Sequence, residues 1–298
     1  MTMIDRITKY PNSPDGDYAF SILIPTWNNL DYLALCVSSI RQHSTLDIQI
    51  IVFVNHGEDG TLAWLEEQGD IDYLHAKENV GICFALNLSR SMVKSSYIVF
   101  LNDDMYVLPN WDTVLLEEIN QLSTKAFMLS GTMVEPTETG NPCVVVRDYG
   151  EDLKHFQEER LLEECAGLTR SDWNGSTWPP NVVHVDMWDM VGGMSIEYSP
   201  GMYSDPDLSK KLYDAGVRIF KGVGTSLVYH FGSRSTRKLR RPKGKRQFLM
   251  KWGLTSNAFG RKVLNRGAAY EPLPENADLG TERLVGNLKI LRETWRRN

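Results

Sequence analysis

The chain has 298 residues, 42% of them apolar and 23% charged, the balance of an ordinary globular protein with one large domain or a core domain and an appendage. A formal net charge of -6 argues against a general nucleic-acid binder. No apolar run approaches the roughly 20 residues of a spanning helix, so any membrane contact is expected to be peripheral. The opening MTMIDRITKYPNSPDGD lacks the apolar centre of a signal peptide. The scattered Cys36, Cys83, Cys143 and Cys165, with no CxxC pair, suit a reducing cytoplasm.

After a polar leader, Phe20 to Pro25 (FSILIP) reads as a short buried strand. A helix is predicted from about Leu30, with Leu33, Cys36, Val37 and Ile40 on one face. A second strand, Ile50 to Val54, is followed by the turn NHGEDG and a helix around Leu62 to Leu65. A third strand falls near Tyr73 to His75, and a helix from Val80 turns Ile82, Ala85, Leu86, Ser89 and Val93 inward. The fourth strand lies in YIVFLNDDMYV, residues 97–107. Past Pro109, residues 126–134 and 182–191 read as strands, separated by a loop-rich stretch with an acidic helical run, EERLLEEC. A helix is expected from about Asp205 to Ala215, then two short strands, Arg218 to Lys221 and Thr225 to Tyr229, and a mostly helical tail from about Gln247.

Strands apolar on both faces that alternate with helices predict a mostly parallel sheet covered on both sides. Ligands of such sheets sit at the carboxyl ends of the strands. Three polar clusters fall there: Thr26-Trp27-Asn28, Asn55-His56-Gly57 and Asn102-Asp103-Asp104. Adjacent carboxylates at a strand end suit a hard divalent cation with coordination positions left for phosphate oxygens. The alternative is a turn in which Asp103 and Asp104 accept backbone N–H bonds.

The ordered set SILIPTWNN, VNHGEDGT, ENVGICFALN, FLNDDM, Gly192-Gly193, SDPDL and YHFGS resembles the family 2 glycosyltransferases over about residues 19–235. That resemblance implies the GT-A fold, a Rossmann-like sheet with a helical C-terminal appendage. It divides the chain into a glycosyltransferase domain over 1–236, with a nucleotide-sugar half at about 19–110 and an acceptor half at 111–236, and a basic and helical tail over 237–298. It implies a metal-dependent, inverting, hexosyltransferase-like enzyme that uses Mn²⁺ or Mg²⁺, a nucleotide-diphosphate sugar and a saccharide or lipid-linked acceptor, as in polysaccharide or lipopolysaccharide synthesis. Pro25, Thr26, Trp27, Asn55, Lys77 and Asn79 match donor-binding positions, and Asp103 matches one toward the ribose. Asp104 and His230 match metal contacts. Asp205 matches the catalytic base.

The chain departs from the family pattern in three places. The aspartate-rich turn becomes Asn55-His56-Gly57-Glu58-Asp59-Gly60-Thr61, the Gly-Gly-Phe-Asp-Glu run becomes Gly192-Gly193-Met194-Ser195-Ile196, and Ser204 stands before the base. Each matched residue also has a plainer reading. Asp205 before Pro206 could be a helix N-cap, with Asp207 the alternative base. His230 and Trp27 could be core, and Trp173, Trp178, Trp188 and Tyr203 could be packing residues rather than platforms for an acceptor sugar.

The run RSTRKLRRPKGKR, residues 234–246, holds eight Lys or Arg and no acid. Arg234 and Arg237 are expected to cover the leaving diphosphate. Residues 238–246 are expected to face an anionic membrane at the inner side of the plasma membrane or a phosphorylated acceptor, or else solvent. Two rival functions remain: a non-catalytic GT-A-like binding module, and a sugar-nucleotide pyrophosphorylase. The latter would want a Gly-rich basic loop where PTWNN stands.

Overall fold

Consecutive residues of the predicted strands point to opposite faces, and both faces are covered. Leu23, Ile51, Phe53, Ile98 and Phe100 belong to one apolar cluster, while Ile22, Ile24, Ile50, Val52, Val54 and Val99 belong to another across the sheet. The computed structural model describes residues 6–232, 244–277 and 279–295. In chain order its elements begin β1 (Ile7–Tyr10), β2 (Phe20–Trp27), α1 (Leu30–His43), β3 (Ile48–Asn55), α2 (Thr61–Gln68), β4 (Asp72–Ala76), α3 (Ile82–Ser89) and β5 (Tyr97–Phe100). They continue β6 (Met105–Val107), α4 (Trp111–Gln121), β7 (Phe127–Glu135), β8 (Val145–Val146), α5 (Glu158–Glu164), β9 (Trp173–Asn174), β10 (Asn181–His184), α6 (Val185–Val191), α7 (Ser204–Asp214) and β11 (Ile219–His230). The last helices are α8 (Gly244–Trp252), α9 (Ser256–Ala258), running into a π-helical turn at Phe259–Val263, and α10 (Gly280–Trp295).

The main path of the sheet is β1-β4-β3-β2-β5-β10-β7-β11-β6. Strands β4, β3, β2 and β5 are mutually parallel, as the alternating pattern predicts. The sheet becomes mixed beyond β5, because β10 runs antiparallel to both β5 and β7, and β6 runs antiparallel to β11. Helices α1 and α4 cover one face through Leu33, Val37, Ile40, Trp111, Leu115 and Ile119. The other face is covered by α3, α6 and α7 together with C-terminal residues including Phe248, Leu254, Phe259 and Leu264.

Three expectations need correction. The polar leader contains edge strand β1, which pairs with β4 and stacks Tyr10 on Tyr73 at 4.3 Å; its mostly exposed residues carry little apolar signal. Residues 185–191 form helix α6 rather than continuing a strand. The His184 side chain caps it by accepting from Asp186 N at 3.0 Å, and Met190 is left 66% exposed, so the apolar run is not a buried strand. The two short strands at 218–229 are one strand, β11, with an irregularity in its pairing to β7 between Val223 and Leu227.

Just before that irregularity lies a close approach only glycine allows. A Cβ on Gly222 would overlap the Trp173 indole, whose Nε1 donates to Thr132 Oγ1 at 2.8 Å. Gly222→Ala is therefore expected to destabilise the fold by about 1–3 kcal/mol, read as a lower urea midpoint at unchanged slope. An unchanged midpoint would contradict this packing.

Candidate active site

Sheet register assembles the charged centre. In the antiparallel pairing of β6 with β11, Met105 lies opposite His230, which places Asp104 beside the imidazole. On the other side of β11, the parallel pairing with β7 reaches Val134 opposite Tyr229, so the next residues, Glu135 and His230, are neighbours. His230 Nδ1 lies 2.9 Å from Glu135 Oε1, and Nε2 lies 3.4 Å from Asp104 Oδ1, an ion-pair distance without hydrogen-bond geometry. Asp103, Asp104, Glu135 and His230 are all buried. Burial alone would lower the pKa of His230, but the carboxylates of Asp104 and Glu135 outweigh it and raise it to about 10. Burial, then the adjacent Asp104 charge, push the Asp103 carboxyl up.

These groups open into a cleft of about 690 Å³, within the range of small-molecule sites. Pro25, Thr26, Trp27, Asn55, Asn79, Asp103, Asp104, Asp205 and His230 all line it. Trp27 is half-buried in its wall. The amides of Asn55 and Asn79 are already oriented: Asn55 Oδ1 accepts from Val80 N at 3.0 Å, and Asn79 Oδ1 from Gly81 N at 2.9 Å. Lys77 is exposed and is not among the lining residues. Arg234, Arg237 and the basic residues through 243 lie outside the described residues; Lys245 and Arg246 sit in the first turn of α8.

The two candidate bases have opposite environments. Asp205 is inside the first turn of α7, whose N-cap is Tyr203, so Asp205 is not the cap. Its Oδ1 is buried without a hydrogen-bond partner, and burial pushes its carboxyl up to about 7. Asp207 is fully buried and accepts from Ser195 Oγ at 2.5 Å and Trp252 Nε1 at 2.8 Å, with Lys251 Nζ at 3.0 Å. Those contacts tie the Asp207 carboxylate to Ser195 and α8, so Asp207 anchors α7 and Asp205 is the acid that lines the cleft.

Of the four candidate aromatic platforms, Trp173 and Trp188 are buried packing residues, whereas Trp178 and Tyr203 line the cleft. Residues 192–196 are structural: Met194 N donates to Asn87 Oδ1 at 2.8 Å, Asn87 Nδ2 donates to Met194 O at 2.8 Å, and Ser195 holds Asp207. Sequence reasoning missed Glu135, which ends β7 as Asp103 and Asp104 follow β5, so the strand-end rule could have found it. It also missed Ser256, Asn257, Gly260 and Arg266, C-terminal residues with no local motif that fold back onto the cleft.

Residues 21–159 match Glycosyl transferase family 2. The chain resembles that family over this stretch. It is 28% identical over 155 residues to EpsJ of Bacillus subtilis (strain 168), an uncharacterized glycosyltransferase, in a match covering 48% of this chain and 44% of EpsJ. The chain thus spans less than half the length of that relative. Two solved structures share its fold. Residues 1–349 of S. aureus TarS superpose with a TM-score of 0.55 at 12% identity, covering 78% of this chain and 64% of that one. GalNAc-T7, solved with UDP, GalNAc and Mn²⁺, gives 0.56 at 13%, covering 92% and 55%. The mixed sheet with its helical C-terminal extension is consistent with the GT-A fold.

Whether this cleft fits a divalent cation turns on Asp104 and His230. Among the described residues no three His, Cys, Asp or Glu side chains converge as a ready-made cage. Two donors do converge, and the buried Nε2 aimed at Asp104 has no hydrogen bond. Glu135 on Nδ1 is the outer partner that fixes an imidazole for metal ligation through Nε2. A two-donor site suits a cation that shares its remaining positions with phosphate oxygens and water, and the proton on His230 is what it would displace. The residues fit the group.

The anchor of α7 is testable apart from any chemistry. Lys251→Met removes the cation nearest the fully buried Asp207 and is expected to cost about 3 kcal/mol in urea unfolding. Removing Arg160 from its exposed pair with Glu164 should leave the urea midpoint nearly unchanged. Equal effects would show that Lys251 does not hold Asp207.

Proposed function

We propose that this protein is an inverting glycosyltransferase that moves a sugar from a nucleoside-diphosphate sugar to a hydroxyl of a saccharide or lipid-linked acceptor, in synthesis of a surface polysaccharide or lipopolysaccharide. The observation that supports it best is one cleft in which Asp104 and His230 meet on the floor while Asp205, with a carboxyl near neutral at about 7, stands on the wall. The match of residues 21–159 to Glycosyl transferase family 2 supports the same reading.

In this reading, Pro25, Trp27 and Asn55 hold the nucleoside and Asp103 holds the ribose. Asp104 and His230 would hold Mn²⁺ or Mg²⁺, and a divalent cation there supplies positive charge against the departing diphosphate. Glu135 keeps the imidazole oriented. Asp205 accepts the proton of the acceptor hydroxyl as its oxygen attacks the anomeric carbon, opposite the leaving group. One displacement inverts that centre. A carboxyl that titrates near 7 is ionised for roughly half its time at neutral pH, and still basic enough to take a proton in the transition state.

The test uses slow hydrolysis of a panel of nucleotide sugars in Mn²⁺. Turnover of at least one donor is expected, with kcat/KM rising as pH passes through about 7 because Asp205 works when deprotonated. Asp205→Asn should lower turnover by about 10²-fold or more while nucleotide affinity holds. Failure of every donor in every divalent cation would favour a binding module instead.

A further inference from the structure

Other buried or half-buried cations of this chain have polar partners for the charged group: backbone carbonyls at Lys211 and Arg218, and acids at Lys221 and Lys251. Lys221 sits 2.5 Å from Glu118 and 2.8 Å from Asp172, and Lys251 sits 2.8 Å from Glu197 and 3.0 Å from Asp207. Arg266 is different. It is half-buried in the cleft wall, its Nε is buried with no hydrogen-bond partner, and among the described residues no carboxylate pairs with it. Its guanidinium carbon lies 4.8 Å from the centroid of the Trp178 ring, which also lines the cleft.

The arginine is held in place at its backbone and along its stem. Arg266 N donates to Gly260 O at 2.9 Å, and Gly267 N donates to Asn174 O at 2.8 Å. Gly175, at φ +97°, packs so closely that a Cβ there would come within 2.8 Å of Arg266 Cα, and a Cβ on Gly260 would lie 3.4 Å from a guanidinium nitrogen. A guanidinium stacked on an indole keeps its N–H donors in its own plane, free to take two oxygens of one anion. Leaving such a group partly desolvated and unpaired is costly, and a ligand anion removes that cost.

Its position separates it from the nucleotide. The donor residues lie at the ends of β2 and β3 and before α3. Trp178 precedes β10, on the opposite side of β5, and Arg266 arrives from the chain after α9. Other charged lining groups are Asp103, Asp104, Glu135, Asp205 and His230, so acids dominate the cleft floor. An incoming anion is repelled there and drawn to the fixed cation. Ser256 and Asn257, which line the same cleft, supply neutral groups for sugar hydroxyls.

We infer that Arg266, stacked on Trp178, forms an acceptor-side subsite for an anionic sugar, one bearing a carboxylate or a phosphate. The word acceptor rests on the glycosyltransferase reading; the binding of the anion does not. The anion fixes which way the sugar lies, and so which hydroxyl reaches Asp205.

The test titrates the full chain with glucuronic acid, glucose 6-phosphate and glucose at low salt, followed by ligand-observed NMR, with and without UDP, GDP or dTDP in Mn²⁺. At least one anionic sugar should bind about tenfold tighter than glucose, as expected for a charge-assisted bond. The stronger of the two tells carboxylate from phosphate. Arg266→Gln, checked for folding by its thermal midpoint, should erase the preference, and Arg266→Lys should retain part of it. Equal affinity of wild-type protein for all three sugars overturns the subsite without needing any variant. Loss of anionic-sugar binding when nucleotide is added would assign Arg266 to the diphosphate instead and overturn the acceptor placement. Wild-type donor hydrolysis, measured alongside, separates the two claims: a preference for the anion without hydrolysis sinks the enzyme reading and leaves the subsite.

Discussion

The site depends on one imidazole held between two carboxylates. His230 ends β11, and the strands on either side of β11 deliver Asp104 and Glu135 to its two ring nitrogens. Burying three acids and one histidine together is unfavourable unless positive charge is supplied. The chain supplies part of it by keeping His230 protonated, with a pKa raised to about 10. A one-residue slip of β6 or β7 against β11 would turn the acids to the other face of the sheet, so the register of three strands is tied to the chemistry.

The C-terminal segment is the second constraint. It covers one face of the sheet with Phe248, Leu254 and Phe259, and it also reaches the site twice. Lys251 and Trp252 of α8 grip Asp207, which fixes the first turn of α7 and thereby the aim of Asp205. Further along, the chain beyond α9 sets Arg266 against Trp178. The proposed donor side of the cleft thus rests on the parallel strands, while Asp205 and Arg266 are set by residues far away in sequence.

What was legible in the sequence follows the same division. Apolar alternation located β2, β3, β4 and β5, and the rule that ligands sit at strand ends led to Thr26, Asn55 and Asp103-Asp104, all now in one cleft. Glu135 escaped because the strand was read as ending at 134, one residue short of the functional group. Motif order and spacing favour Asp205 over Asp207, but the Lys251 and Trp252 contacts that tie Asp207 come from another helix and are not legible in the sequence. Helix α6 was read as strand because Met187, Trp188 and Met190 make an apolar run, while the cap that starts it is a histidine. The irregularity in β11 near Gly222 and Gly224 broke an alternation that would otherwise read as one strand.

The central claim is that the buried Asp104–His230 pair receives a divalent cation together with a nucleoside diphosphate. Isothermal titration of UDP, GDP and dTDP, in Mn²⁺ and in EDTA, tests it without a known acceptor. At least one nucleotide should bind about tenfold or more tightly in Mn²⁺, the difference should vanish in Asp104→Asn, and the parent nucleoside should be indifferent to metal. Equal affinities in Mn²⁺ and EDTA for every nucleotide that binds would contradict the account.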